Sequence, residues 1–380
     1  MLSFSTRGVV VLSLTCLLAL VLVPASSAAS SKRLLAYYTF WSKTNTPAYS
    51  AANIPYQHLT HISHAFLLLD KKNLGNIVVS EGLIEPALIS NAHAAGVKVL
   101  ISIGGGDPAQ AQAFRKISAD PTIRAAFVKN VSNFVVANGY DGVDIDWEIP
   151  VNPKDTNNCI MLMQDLRNQF ASPRYLLSMA IPADPRSWGS GFDVPALAPL
   201  LDFINVMTYD YYGPWSDRAG INSPLFQDPN DPEQAGSIQT SMDLFANIYG
   251  VPPDKLNMGT AFYGYEFDSA QQLWDLCSDC GNTTLSVNYG TDIKPRINKM
   301  GWMRRRDAAA KAPYLLNEGV GGATGFISYD DAQSTAAKAN YVLGKRGFGG
   351  VFMWSLDADY DGSSQDLLDA LYGAFRRHQK

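Results

Sequence analysis

Asp141-Gly142-Val143-Asp144-Ile145-Asp146-Trp147-Glu148 is the stretch on which the reading of this chain turns. Side chains along a strand alternate between its two faces. Asp144, Asp146 and Glu148 therefore share one face, successive members about 7 Å apart along it, while Val143, Ile145 and Trp147 share the other. An acidic edge strand on a solvated face is one way to place them. A barrel strand is the better one, with its apolar set against helices and its acidic set toward the axis. Three carboxylates in such an interior cannot all be charged cheaply, so they share protons or bind a metal. Trp147 and the apolar flanks make a packed strand with no His close by, and no metal is expected. Glu148 falls at the carboxyl end of the strand, where barrel enzymes place their chemistry.

Outward from this segment, apolar or β-rich stretches recur at 34–38, 59–69, 97–103, 142–147, 176–180, 203–208, 257–262 and 350–354. Helix-like segments lie between them, among them 109–117, 122–136 and 237–248, and a helix near 364–376 ends the chain. Near-continuous apolar strands separated by helices imply a parallel sheet buried on both faces, and eight of them predict an α/β fold, the (β/α)8 TIM barrel. The gap at 263–327 is too long for a loop without structure of its own. It is expected to be a small α+β insertion domain within a barrel spanning 30–380.

The 380 residues are 47% hydrophobic and 17% charged with a net charge of −5, which provides a sizeable core and excludes wholesale disorder. Without a basic face, a nucleic-acid partner is not expected. Arg7 precedes an apolar run, 9–23, of 15 residues, followed by Pro24 and the small residues 25–29. That run is shorter than the roughly 20 residues a bilayer span takes. It reads as a secretory signal peptide over 1–29, cleaved after Ala29 or one residue earlier, and not as a membrane anchor. The product is expected to be secreted, extracellular and monomeric, with no membrane partner. Cys159, Cys277 and Cys280 remain after cleavage. Cys277 and Cys280 could form a redox motif, half a zinc site or a local disulfide; zinc lacks two further ligands, and the disulfide is preferred. Asn130-Val131-Ser132 and Asn282-Thr283-Thr284 are glycosylation sequons.

Asp141 to Glu148 resembles the DxxDxDxE signature of glycoside hydrolase family 18, the chitinases and their relatives. Ser102-Ile103-Gly104-Gly105 resembles the family's SxGG motif, Met207-Thr208-Tyr209-Asp210 its MxYD motif, and Trp354 the tryptophan that ends its eighth strand. All four occur in family order, and the resemblance covers essentially the whole mature chain, including an insertion between strands seven and eight. One departure is Ile149, where the family commonly has Tyr; it bears on a contact near the cleavage point.

The resemblance implies a secreted chitinase that hydrolyses β-1,4-N-acetylglucosamine linkages, with the substrate's own N-acetyl group as nucleophile and no cofactor. It implies Glu148 as general acid and later base. Asp146 would orient the acetamido group, and Asp144 would share a proton with Asp146. Tyr209 would donate to the acetamido oxygen, Asp210 contact the distorted sugar, and Trp354 form the floor beneath it. Trp215 matches a position on the reducing side. Met207 reads as packing beside the sugar, and Ser102 and Tyr37 as hydrogen-bond partners of Asp144 at the substrate site. Trp41, Trp188 and Trp302 are weaker sugar platforms. Asp141 is off the inward register and reads as structural. His58, His61 and His64 resemble metal ligands only if helical, and their segment reads as a strand. Arg304, Arg305 and Arg306 read as the start of a helix with a solvated face. Two rival functions stay open: a catalytically silent chitin-binding, lectin-like protein of the same fold, and an endo-N-acetylglucosaminidase acting on N-glycans. Retention of Glu148, Asp146 and Tyr209 weighs against the first, and the insertion against the second.

Overall fold

The computed structural model describes Met1 and residues 32–148, 150–184, 191–277, 279–318 and 324–379. The expected signal peptide, Ile149 and Trp188 lie outside the described residues. Residues Ser31–Lys380 form one compact unit.

Eight parallel strands close on themselves: β1 Arg33–Thr39, β2 His61–Leu69, β3 Lys98–Gly104, β4 Gly142–Asp146, β5 Leu176–Pro182, β6 Phe203–Met207, β7 Leu256–Ala261 and β8 Gly350–Trp354. Each pairs with its successor, and β1 also pairs with β8. All eight expected strands are present, shifted by no more than two residues at an end. The register sets Ser102 of β3, Asp144 of β4 and Ser178 of β5 side by side. The alternation in β4 is as the sequence predicts. Val143, Ile145 and Trp147 are completely buried. The indole of Trp147 stacks on Phe114 at 5.2 Å and 11°. That ring belongs to the helix Pro108–Ala119.

Three of the surrounding helices begin at an Asx-Pro step. The Asp107 side chain caps Pro108–Ala119, Asp120 caps Pro121–Asn138, and Asn152 caps Pro153–Gln169. Each proline stands at the first helical position, where a missing N–H costs nothing, and each Asx oxygen accepts from a backbone N–H that has no partner within the helix. The C-terminal helix is Asp366–Arg376.

Between β7 and β8 a second sheet forms from five antiparallel strands: Tyr263–Phe267, Thr284–Asn288, Trp302–Asp307, Ala312–Glu318 and Thr324–Ser328. Here two readings are corrected. Arg304, Arg305 and Arg306 lie in a strand, not a helix, because 302–307 pairs residue by residue with 312–317 across a tight turn. The Arg304 guanidinium is not merely solvated: its Nε donates to Asp331 Oδ2 at 2.9 Å. Trp302 is no sugar platform. It is buried in the core, with the Arg296 guanidinium 5.7 Å over its ring.

His61 and His64 face opposite sides of β2. His61 meets Phe203, one of the rings inside the barrel, whereas His64 stacks on Tyr38 and bonds the Tyr140 hydroxyl at 2.9 Å. Burial drives both imidazoles down to about 3, so they are neutral at physiological pH. Cys277 and Cys280 are joined as a disulfide, and Cys159 is a buried free thiol. Asn282 is exposed; the half-buried Asn130 uses its amide to bond the Gly75 carbonyl at 2.9 Å.

Two glycines should respond to alanine with opposite signs. A Cβ on Gly142 in β4 would stand 2.1 Å from the Leu176 carbonyl oxygen, so Gly142→Ala should destabilise the barrel by about 1–3 kcal/mol or more. Gly373 sits in the last helix, where an added Cβ would meet nothing within 4 Å, and Gly373→Ala should stabilise by about 0.5–1 kcal/mol. Urea denaturation of both variants checks the pair; equal midpoints would contradict the packing described.

Candidate active site

At the carboxyl ends of the strands lies a cleft of about 650 Å³ whose walls include Asp146, Glu148, Met207, Tyr209, Asp210 and Trp354. Asp144 is deeper and completely buried. Its Oδ2 accepts from the Tyr37 hydroxyl at 2.7 Å and the Ser102 hydroxyl at 2.8 Å. Its Oδ1 accepts from the Ser178 hydroxyl at 2.6 Å and the Asn205 amide at 3.4 Å. Burial raises this carboxyl above its ordinary value, and the four donors oppose that rise. Donors on both oxygens favour the ionised form.

Asp146, the next residue on the same face, has the opposite surroundings. Its Oδ1 is buried with no hydrogen-bond partner among the described residues. Burial first, then the charges of Glu148 and Asp144, drive its carboxyl well above the ordinary range. Glu148, half-buried at the cleft wall, is pushed up to about 7 by burial and by Asp210. The row thus runs from a carboxylate with donors on both oxygens, through a carboxyl that favours its proton, to an acid poised near neutrality.

Ser102-Ile103-Gly104-Gly105 shows why the third strand ends in glycines. Gly104 has φ +113°, and a Cβ there would stand 2.2 Å from the Asp146 carbonyl oxygen. That close approach lets the Gly105 N–H donate to the same oxygen at 2.9 Å and fixes the end of β4. Ser102 is completely buried and outside the cleft wall; Tyr37 reaches both Asp144 and the wall.

Asp210 adopts a left-handed backbone, φ 63°, which Asp tolerates because its short side chain can bond locally. The Asn222 Oδ1 accepts its N–H at 2.9 Å. The Asp210 carboxylate accepts from the Tyr263 hydroxyl and, at 3.0 Å, from the Tyr265 hydroxyl. Both tyrosines come from the first strand of the inserted sheet. Trp354 stacks on Phe66 at 5.6 Å and 20°, and Phe66 lies 6.0 Å from Trp41, which is partly exposed. Trp215 is 52% exposed and meets Tyr265 edge-on at 5.7 Å.

The family model for glycosyl hydrolases family 18 matches residues 33–359. The chain belongs to glycoside hydrolase family 18. It is 29% identical to Probable chitinase 2 of Drosophila melanogaster over 86% of this chain and 72% of that one. It is also 29% identical to Chitotriosidase-1 of Mus musculus, over 87% and 74% respectively. Identity to Chitinase A1 of Niallia circulans is 31% over 72% of this chain, which spans only 42% of that longer relative. Catalytic domain 2 of the Ostrinia furnacalis Group II chitinase superposes with a TM-score of 0.82 at 26% identity, covering 91% of this chain and 97% of that one.

Within this family 18 hydrolase, the structure brings Glu148, Asp146, Asp144, Tyr209, Asp210, Trp354, Trp215, Met207 and Tyr37 to one cleft or directly behind it, with Ser102 further in. Asp141 is apart, at the opposite end of β4, bonded to His93 and Lys98, each at 2.8 Å, and to the Val99 N–H. Sequence reasoning missed Ser178, Asn205, Asn222, Tyr263, Tyr265 and Phe66. Ser178 and Asn205 were visible as polar residues inside apolar strands; Tyr263 and Tyr265 repeat at a spacing of two just past β7.

The titration of Glu148 follows from this geometry. Carbon-13 NMR of the labelled carboxyl should give a midpoint near 7, and Asp210→Asn, by removing a neighbouring negative charge, should lower it. A wild-type midpoint at the ordinary glutamate value of about 4.3 would contradict the burial described.

Proposed function

We propose that the mature chain is a secreted chitinase that hydrolyses β-1,4-N-acetylglucosamine linkages by substrate-assisted, retaining acid/base catalysis. The observation that carries this reading is the graded row of Asp144, Asp146 and Glu148. It supplies one acid poised near neutrality and a neighbouring pair that holds one proton, rather than two ionised carboxylates facing each other across the sugar. A Nicotiana tobaccum class V chitinase, 26% identical with a TM-score of 0.78, has been solved as a mutant in complex with NAG4. That likeness supports N-acetylglucosamine oligomers as the substrate class.

In this mechanism Glu148 protonates the leaving oxygen. Asp146 bonds the acetamido N–H and turns its oxygen toward the anomeric carbon. Sharing its proton with Asp144 lets Asp146 stabilise the positive charge of the oxazolinium ion. The Tyr209 hydroxyl donates to the acetamido oxygen, Asp210 holds the distorted sugar, and the Trp354 ring packs under its apolar face. Glu148, now ionised, takes a proton from the water that opens the ring. Two inversions give net retention, so the first product is the β-anomer.

The proposed mature protein starts after a signal peptide at 1–29 and forms a barrel over 30–380. The 263–327 segment acts as an insertion domain, supplying Tyr263 to the cleft wall and Tyr265 as a second hydroxyl donor to Asp210. The enzyme acts as a monomer on chitin oligomers, without a cofactor, a nucleic acid or a membrane partner.

Glu148→Gln should lower turnover of chitin oligomers by about 10²–10⁴-fold while oligomer binding is largely kept; near-normal turnover would remove Glu148 from the acid's role. Fast NMR of the nascent product should show the β-anomer, and cellulose oligomers, which lack the acetamido group, should not be cut. An initial α-anomer, or cellulose cleavage at a comparable rate, would overturn the substrate-assisted step.

A further inference from the structure

Behind the acidic row, a chain of polar side chains crosses the barrel interior from β1. Arg33 Nε donates to Asn257 Oδ1 at 2.9 Å, Asn257 Nδ2 donates to Asn205 Oδ1 at 2.9 Å, and Asn205 Nδ2 reaches Asp144 Oδ1 at 3.4 Å and the Tyr37 hydroxyl at 3.3 Å. Asn257, Asn205 and Asp144 are completely buried, and Arg33 is 8% exposed. The register builds this layer: Arg33 lies opposite Gly350, Gly350 opposite Asn257, and Asn257 opposite Asn205. Gly350 leaves the room the link needs, since a Cβ there would stand 2.4 Å from Asn257 Oδ1.

A guanidinium can only donate, whereas a side-chain amide can present either end. Arg33 therefore obliges Asn257 to turn its oxygen toward the guanidinium and its NH2 toward Asn205. Asn205 must then accept on its oxygen and can offer only N–H to Asp144. We propose that Arg33 and Asn257 are positioning residues for catalysis: they fix the polarity of an amide relay that presents a donor, never an acceptor, to the Asp144 carboxylate. Without that constraint the Asn205 amide can reverse, bring its oxygen against Asp144, and favour protonation of that carboxyl.

Other charged and titratable groups face both ends of the relay. Asp144 is faced by Tyr37 from β1, by Asp146 on its own strand and by Tyr209 beyond β6; Ser102, Ser178 and Asn205 supply its remaining donors. Arg33 is neighboured by Lys32, Asp202, Asp254 and the neutral His61, and donates to the Asp254 carbonyl.

The inference rests on the proposed role of Asp144 as the carboxylate that takes up the Asp146 proton, so its signature is the acid limb of kcat/KM on a chitin oligomer. Arg33→Gln keeps a hydrogen-bonding side chain but frees the relay's polarity, and should move that limb toward neutrality by about one unit. Arg33→Lys, shorter but still donor-only, should keep the wild-type limb. Asn257→Asp accepts from Arg33 but gives Asn205 nothing, and should behave like Arg33→Gln. A purely structural role would lower the melting temperature in all three and leave every limb in place; that outcome, or equal shifts in Gln and Lys variants, overturns the relay. If Arg33→Gln does not fold, Asn257→Asp against Arg33→Lys decides. Failure of the wild-type enzyme to cleave the oligomer would instead overturn the functional reading, and the relay's catalytic role with it.

Discussion

The site depends on a buried carboxylate that is fully hydrogen-bonded. Asp144 sits on the barrel axis with three hydroxyls and an amide around it, contributed by β1, β3, β5 and β6. An isolated charge so deep would be strongly disfavoured, and the usual escape is to bind a proton. Four donors from four strands oppose that escape and place the burden on Asp146, whose Oδ1 has no such partner among the described residues. The closed barrel is what makes this possible, because it brings residues distant in sequence into a single layer around one carboxyl group.

The inserted sheet takes part in the chemistry as well as in the walls. Tyr263 and Tyr265 bond Asp210, and Asp210 in turn helps keep Glu148 protonated up to about 7. Asn222 completes the bracket. Its side-chain oxygen accepts the Asp210 N–H, and its own backbone N–H donates to the Ser328 hydroxyl at the end of the inserted sheet. The acid is thus tuned from both sides: by burial in the barrel and by a carboxylate that the insertion holds in place.

Much of this was legible in the sequence because strands have a strict period of two. The run 141–148 determined which carboxylates point inward, and its apolar alternates announced the helix layer that Trp147 and Phe114 complete. Asp-Pro and Asn-Pro steps also mark the helix starts at 108, 121 and 153, one residue ahead of where apolar periodicity alone puts each of the first two. What was not legible depends on contacts across the barrel. Ser178, Asn205 and Asn257 look like ordinary polar interruptions of apolar strands until ring closure sets them against Asp144 or one another. Arg304 misled because arginine suits a helix as well as a strand edge; pairing with 312–317, a tertiary fact, settled it. Trp302 misled because burial of a tryptophan cannot be told from sugar stacking by position alone.

The central claim is that the free enzyme keeps Asp144 ionised and the proton on Asp146. Neutron diffraction from deuterium-exchanged crystals at neutral pD reads this directly. The account predicts density for a deuteron on the Asp146 carboxyl, none on Asp144, and the Tyr37, Ser102 and Ser178 hydroxyl deuterons all directed at Asp144. A deuteron on Asp144 with Asp146 bare, or hydroxyls turned away from Asp144, would contradict it.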